Sequence, residues 1–203
     1  LVNCVDDCVG GMLEALTANG LDDNTVVLFT SDHGDNLGSH HAFNKDRLWE
    51  ESIRIPFMVR WPGRVKSRAI ASQIVSTVDI MPTLLGLVGL AIPETVQGRD
   101  VTPVLTGEAE SVGENVAFIE TTNSEVGVRT LTHLYGLQKS GDPEQPAAMQ
   151  VSEAPYHFFD MRSDPYQLAN LAGSDQQRDL AAHLHERVKA YDGGTPWLDV
   201  EEQ

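Results

Sequence analysis

The sequence predicts an α/β fold in two parts: a sheet segment with its helix, then a small antiparallel β-sheet packed with a C-terminal helix. Three observations carry this expectation. An apolar helical period opens the chain, a continuous β-branched run follows it, and clustered short strands precede a closing helix. Leu1, Val5, Val9, Met12, Leu13 and Leu16 recur at steps of three and four, which gives one apolar helix face. Gly20 stands where such a helix ends in a left-handed residue. Asp22-Asp23-Asn24 turns the chain into Thr25–Thr30, a run without polar interruption that reads as a strand buried on both faces. Residues 31–52 are polar, contain Gly34, Gly38, His33, His40 and His41, and read as a long functional loop. Ile53–Trp61 is a second strand candidate closed by Pro62-Gly63, with Pro56 placing it at an edge or bulge. Asp79 is positioned to cap a helix over Ile80–Leu87, with Pro82 tolerated in its first turn.

Around residues 106–115 the texture changes to Gly, Glu and Ser, which suggests a boundary between parts at 1–105 and 116–203. Beyond it, Val116–Thr121 and Val126–Gln138 read as strands joined through Asn123-Ser124. Ser140–Ala148 reads as an exposed loop, Tyr156–Asp160 as a further strand, and Gln176–Tyr191 as a helix with Leu180, Leu184 and Val188 on its apolar face. No internal repeat is present.

Composition bounds the partners. Hydrophobic residues make up 41% of 203 residues, which excludes a disordered tail, and no run approaches the roughly 18 apolar residues of a membrane span. The net charge of −16 argues against nucleic acid, whose binding rests on phosphate neutralisation. Residues 1–100 hold 8 basic and 13 acidic side chains, and residues 101–203 hold 6 and 17. Seven of the 14 basic residues lie between Lys45 and Arg68, opposed only by Asp46, Glu50 and Glu51. That cationic island is the feature to explain. Cys4 and Cys8 are too few for a disulfide framework and read as small buried hydrophobes. The chain opens without Met and already in a helical period, so it reads as a piece of a longer protein.

Chemistry concentrates after the first strand. Ser31-Asp32-His33-Gly34 places a carboxylate and an imidazole at a strand's carboxyl end, where α/β sheets gather ligands and metals. Together they offer half of a divalent-cation site, with Gly34 letting the backbone turn sharply behind them. Lys45, twelve residues past His33, suits an anionic substrate; spacing alone equally allows a solvated Lys paired with Asp46 or Glu50. His133, His157, His183 and His185 lie outside this block and take no catalytic role, the last two falling on an exposed helix face. Trp61 reads as a packed turn residue and Trp197 as part of a tail.

These residues resemble the C-terminal portion of the type I sulfatases, within the alkaline phosphatase superfamily. The likeness runs from Val5-Asp6-Asp7-Cys8-Val9-Gly10 through Asp23-Asn24-Thr25 and Phe29-Thr30-Ser31-Asp32-His33-Gly34. It continues in Leu37-Gly38-Ser39-His40, in Lys45, Trp49-Glu50, Arg54 and Pro56, and in Val75–Leu85 with Gln97-Gly98-Arg99. It closes with Phe159-Asp160, Asp164-Pro165 and Asn170-Leu171-Ala172. The resemblance implies a partial alkaline-phosphatase-like sheet segment. It implies that Asp32 and His33 are two ligands of a divalent cation, usually calcium, that Lys45 contacts the sulfate and steadies the leaving oxygen, and that His40 or His41 approaches the substrate. It further implies attack on sulfur by a formylglycine hydrate, and a small-molecule or sugar sulfate ester as substrate. The resemblance favours a periplasmic or extracellular setting and leaves a cytoplasmic one open.

The departures are equally specific. Formylglycine is made from the first residue of C/S-x-P-x-R, and no such pentapeptide occurs in this chain. Asp6-Asp7 precedes the strand and reads as a solvated pair rather than as the family's early metal pair. The expectation is a chain inactive by itself, completed by the N-terminal half of its parent and prone to self-association without it. A phosphonate or phosphodiester hydrolase of the same superfamily and a non-catalytic binding or structural module are the alternatives.

Overall fold

The computed structural model describes residues 1–122, 124–141 and 149–194. Asn123, most of the loop expected over 140–148, and Trp197 lie outside them. In chain order the elements are α1 (Val2–Ala18), β1 (Val27–Thr30), α2 (Glu50–Ile53), β2 (Phe57–Arg60), α3 (Ile80–Val88), α4 (Thr102–Thr106), β3 (Val116–Glu120), β4 (Glu125–Thr130), β5 (His133–Ser140), β6 (Gln150–Asp160) and α5 (Arg178–Gly194). They fall into two compact units that interleave in sequence. One holds Leu1–Ser31, Pro56–Gln73 and Thr77–Gly113; the other holds Asp32–Ile55, Ile74–Ser76 and the chain from Glu114 onward.

In the first unit β1 and β2 pair antiparallel, with Val27 opposite Arg60 and Thr30 opposite Phe57. All four β1 residues are only half-buried, so the expectation of a strand covered on both faces is corrected. Among the described residues β1 has a single strand neighbour. β2 starts four residues later than predicted because Glu50–Ile53 coils into a helical turn, closed by the Ile53 N–H donating to the Trp49 carbonyl at 3.0 Å. Helix α1 ends as its sequence predicts. Gly20 has φ 67°, the Leu21 N–H reaches the Leu16 carbonyl at 3.0 Å and the Gly20 N–H reaches that of Thr17 at 3.1 Å.

Two expectations fail in this unit. No α1 residue is fully buried; Val9, Leu13 and Leu16 are half-buried while Val5 and Met12 are exposed. Cys4 and Cys8 are therefore exposed free thiols, not buried hydrophobes. Asp79 precedes α3 but makes no side-chain cap. Its buried carboxylate instead accepts from the Arg99 backbone N–H and from Arg99 Nη2, each at 2.7 Å. A planar guanidinium satisfies a buried carboxylate more fully than one helix N–H can.

The second unit is a four-stranded antiparallel sheet in the order β3-β4-β5-β6. The run predicted as one strand over 126–138 is two, reversed at Leu131-Thr132. Alternation sorts its side chains onto two faces. Val126, Val128, Tyr135, Leu137 and Phe158 pack with Leu184 and Val188 of α5. Leu134 and Phe159 face the other way and pack with Leu48 and Met161. Gly127 and Gly136 stand opposite each other on that second face. A Cβ added to either would lie 2.7 Å or 2.5 Å from Leu48 Cδ1, so the two glycines form the pit that receives Leu48. No described helix is long and apolar enough to cross a membrane.

Candidate active site

Asp32, His33 and Lys45 come together in the segment that follows β1. His33 Nδ1 lies 2.8 Å from the Gly34 carbonyl and donates to it, which leaves the Nε2 lone pair facing outward. That lone pair accepts from Lys45 Nζ at 2.8 Å, and Asp32 Oδ2 is 3.3 Å from the same nitrogen. Asp32 Oδ1 accepts from the His33 N–H at 2.9 Å, while the Asp32 side chain remains 84% exposed. Lys45 thus partners His33; Glu50 is engaged by Arg129 Nε at 2.6 Å. Gly34 serves differently from the sharp turn expected of it, since its φ is not in the left-handed region. Its N–H donates to the Ser52 carbonyl at 2.8 Å, and a Cβ there would lie 1.8 Å from the Glu51 carbonyl oxygen. Only glycine lets the Asp-His segment lie this close to α2.

Lys45 is carried by a strained loop. Leu37, His40, His41, Asn44 and Asp46 all have positive φ, which Asn and Asp adopt readily but which costs a residue such as Leu37 about 1–2 kcal/mol. Interactions at both ends hold it. Buried Asn36 donates from its backbone N–H and from Nδ2 to the Asn44 carbonyl, at 2.7 and 2.8 Å. At the far end Leu48 fills the glycine pit. Its N–H donates to Glu125 Oε2 at 2.9 Å, while Arg47 Nη1 donates to Oε1 at 2.8 Å. Burial raises the Glu125 carboxyl, but His157, Arg47 and the Leu48 N–H together outweigh it and hold the group below the ordinary carboxylate range.

The cationic island divides along these lines. Arg54 is exposed. Arg60 is half-buried, and its Nη2 donates to both Asp22 oxygens at 2.9 Å. Arg64 lies over the Trp61 ring, 5.2 Å from its centroid, and the Trp61 indole donates to the Asp23 carbonyl at 3.1 Å. His40 does not join the Asp32–His33–Lys45 group. It stacks on Trp49 with centroids 3.9 Å apart, and its Nε2 is 3.8 Å from Glu51 Oε2. His185, expected on an exposed face, is half-buried, with Nδ1 3.0 Å from the Tyr135 hydroxyl.

Sequence reasoning passed over Glu125 and gave His157 no role; the two share a cleft of about 380 Å³ with His41, Lys45, Arg47 and Trp49. Each sits in a strand, and Glu125 is 78 residues from Arg47, so no local spacing marks them. Asp32 and His33 supply one oxygen and one outward-facing nitrogen, a donor pair compatible with part of a divalent-cation shell. Among the described residues no group of three or more His, Cys, Asp or Glu side chains could hold a metal by itself.

Residues 1–90 match the family model described as Sulfatase. An endo-4-O-sulfatase of Bacteroides thetaiotaomicron is 34% identical over 199 residues, an alignment covering 92% of this chain and 39% of that protein. A solved structure described as in complex with its substrate D-glucosamine-2-N,6-O-disulfate superposes with a TM-score of 0.79 at 26% identity, covering 99% of this chain and 41% of that one. A phosphonate monoester hydrolase from Silicibacter pomeroyi shares the fold, at 23% identity and a TM-score of 0.76 over 97% of this chain and 40% of that one. The chain spans 36–39% of the length of the first curated relatives it matches.

Proposed function

Because the chain belongs to the type I sulfatase family of the alkaline phosphatase superfamily, we propose that it forms the C-terminal part of a sulfuric ester hydrolase acting on a small-molecule or sugar sulfate ester. One observation carries the reading: Lys45, His33 and Asp32 converge on a single imidazole nitrogen, and all three lie inside the matched residues. In this role Lys45 binds a sulfate oxygen and holds the negative charge that grows on the departing ester oxygen. Asp32 and His33 would hold a divalent cation, calcium by family resemblance, which would supply positive charge to the sulfate when bound. The Gly34 carbonyl keeps His33 in the tautomer whose Nε2 can ligate. That lone pair cannot serve a cation and the Lys45 ammonium together, so with a cation on His33 the Lys45 ammonium would be free to turn to the substrate.

The nucleophile motif is absent from these 203 residues, and the proposal includes an inactive chain in isolation. The test assays the full-length protein and the isolated chain on 4-nitrophenyl sulfate and on a phosphonate monoester. Turnover of the sulfate by the full-length protein alone is expected. A strong preference for the phosphonate would overturn the sulfatase reading, and turnover by the isolated chain would overturn its inactivity. Lys45→Ala in the full-length protein should lower kcat about 10²- to 10³-fold, the usual effect of removing a group aimed at developing oxyanion charge.

A further inference from the structure

We propose that the cleft beside Lys45 is a second anion subsite. It accepts a carboxylate or a second sulfate carried by the same saccharide whose ester Lys45 holds, and it therefore rests on the sulfatase reading. The cleft is lined by His40, His41, Lys45, Arg47 and His157, with Glu125 as the only acid among its lining residues. Glu125 is completely buried and engaged by Arg47 and the Leu48 N–H; Lys45 and Arg47 against this one carboxylate leave the lining with a net positive charge.

His157 is the independent observation. It is 4% exposed; its Nε2 faces Glu125 Oε2 at 3.6 Å, an ion-pair contact longer than a hydrogen bond, while its Nδ1 has no hydrogen-bond partner. Buried polar atoms are nearly always satisfied, so a ring nitrogen left over beside Arg47 points to a polar group arriving from outside. Trp49 completes the wall, stacked by His40 on one side and met edge-on by His157 at 4.7 Å. Aromatic walls with a few convergent polar groups are the general make-up of small-ligand sites. An oxygen of the second anionic group accepts from His157 and from the Arg47 guanidinium, one nitrogen of which is held by Glu125.

The test measures, by calorimetry on the full-length protein, the ratio of affinities for D-glucosamine-2-N,6-O-disulfate and N-acetylglucosamine 6-sulfate. A glucuronate-linked N-acetylglucosamine 6-sulfate disaccharide forms a third arm. Wild-type preference for one of the dianionic ligands by about tenfold or more is expected, the worth of a charged hydrogen bond. Which arm shows the preference identifies sulfate or carboxylate as the group bound. His157→Phe, which keeps the ring packing, and His41→Ala, at an exposed position, should each cut that preference severalfold. A wild type without preference, or variants that retain it, overturns the subsite. Failure to turn over 4-nitrophenyl sulfate with the preference intact would instead count against the sulfatase reading alone.

Discussion

At the scale of single residues, Glu125 decides where Lys45 stands. Its carboxylate is fully buried and receives hydrogen bonds from both Arg47 and Leu48, the residues that follow the loop lysine. Glu125→Gln keeps the shape but removes the charge, which should destabilise the fold by about 2 kcal/mol at pH 7 by weakening charge-assisted bonds. The pH dependence has a definite sign. Burial pushes this carboxyl up, hydrogen bonds pull it further down, and the folded value ends below the unfolded one near 4.5. Its stabilisation is present above that value and lost as pH falls through the folded one. Denaturant titrations of wild type and Glu125→Gln should therefore differ at pH 7 and converge below about pH 4.5. A gap that persists unchanged into acid would show that the charge is not what stabilises.

At the scale of elements, the glycine pit couples the sheet to the loop. Gly127→Ala would bring a Cβ within 2.7 Å of both Leu48 Cδ1 and the Tyr135 carbonyl oxygen, and one of them is immovable backbone. Overpacking of this kind costs about 1–3 kcal/mol. It should also lower kcat in the full-length protein, because Leu48 is three residues from Lys45. Leu184→Ala offers the contrast. It opens a cavity under α5 on the opposite sheet face, should cost about 2–5 kcal/mol, and leaves the loop where it is. Equal effects on kcat from the two variants would break the proposed link between pit and lysine. The elements also show what a sequence can reveal. α1, α5 and the Asp-His-Gly exit of β1 were legible because each depends on neighbours within a turn or two. The reversal at Leu131-Thr132 was not, because no Gly or Pro marks it, and neither was the left-handed backbone at Leu37, His40 and His41. L-residues take that conformation only when distant contacts, here Asn36 to Asn44 and Glu125 to Leu48, impose it. Glu125 and His157 stayed hidden for the same reason: their partners are brought to them by the sheet, not by spacing.

At the scale of the whole molecule, exposed apolar surface and net charge pull in opposite directions. In the first unit Val5 and Met12 on α1 are 50% and 68% exposed, and Met81, Val88 and Leu90 at α3 are 49%, 49% and 61% exposed. Among the described residues β1 also has a sheet neighbour on one side only, which leaves an edge able to pair. We propose that the 203-residue chain by itself associates through these surfaces, a role the remainder of a full-length protein would otherwise fill. The charge of −16 opposes association over a Debye length of about 30 Å at 0.01 M salt, but over only about 10 Å at 0.1 M. Sedimentation velocity should therefore show a near-monomeric chain at low ionic strength and a growing oligomer fraction as sodium chloride is raised. Val5→Glu with Met12→Glu should return the high-salt sample to monomer by placing charge on the apolar face of α1. An oligomer that dissolves as salt is added would mean that ion pairs, not apolar faces, hold the copies together. A monomer at every salt concentration would show that the exposed face of α1 is too small to associate unaided.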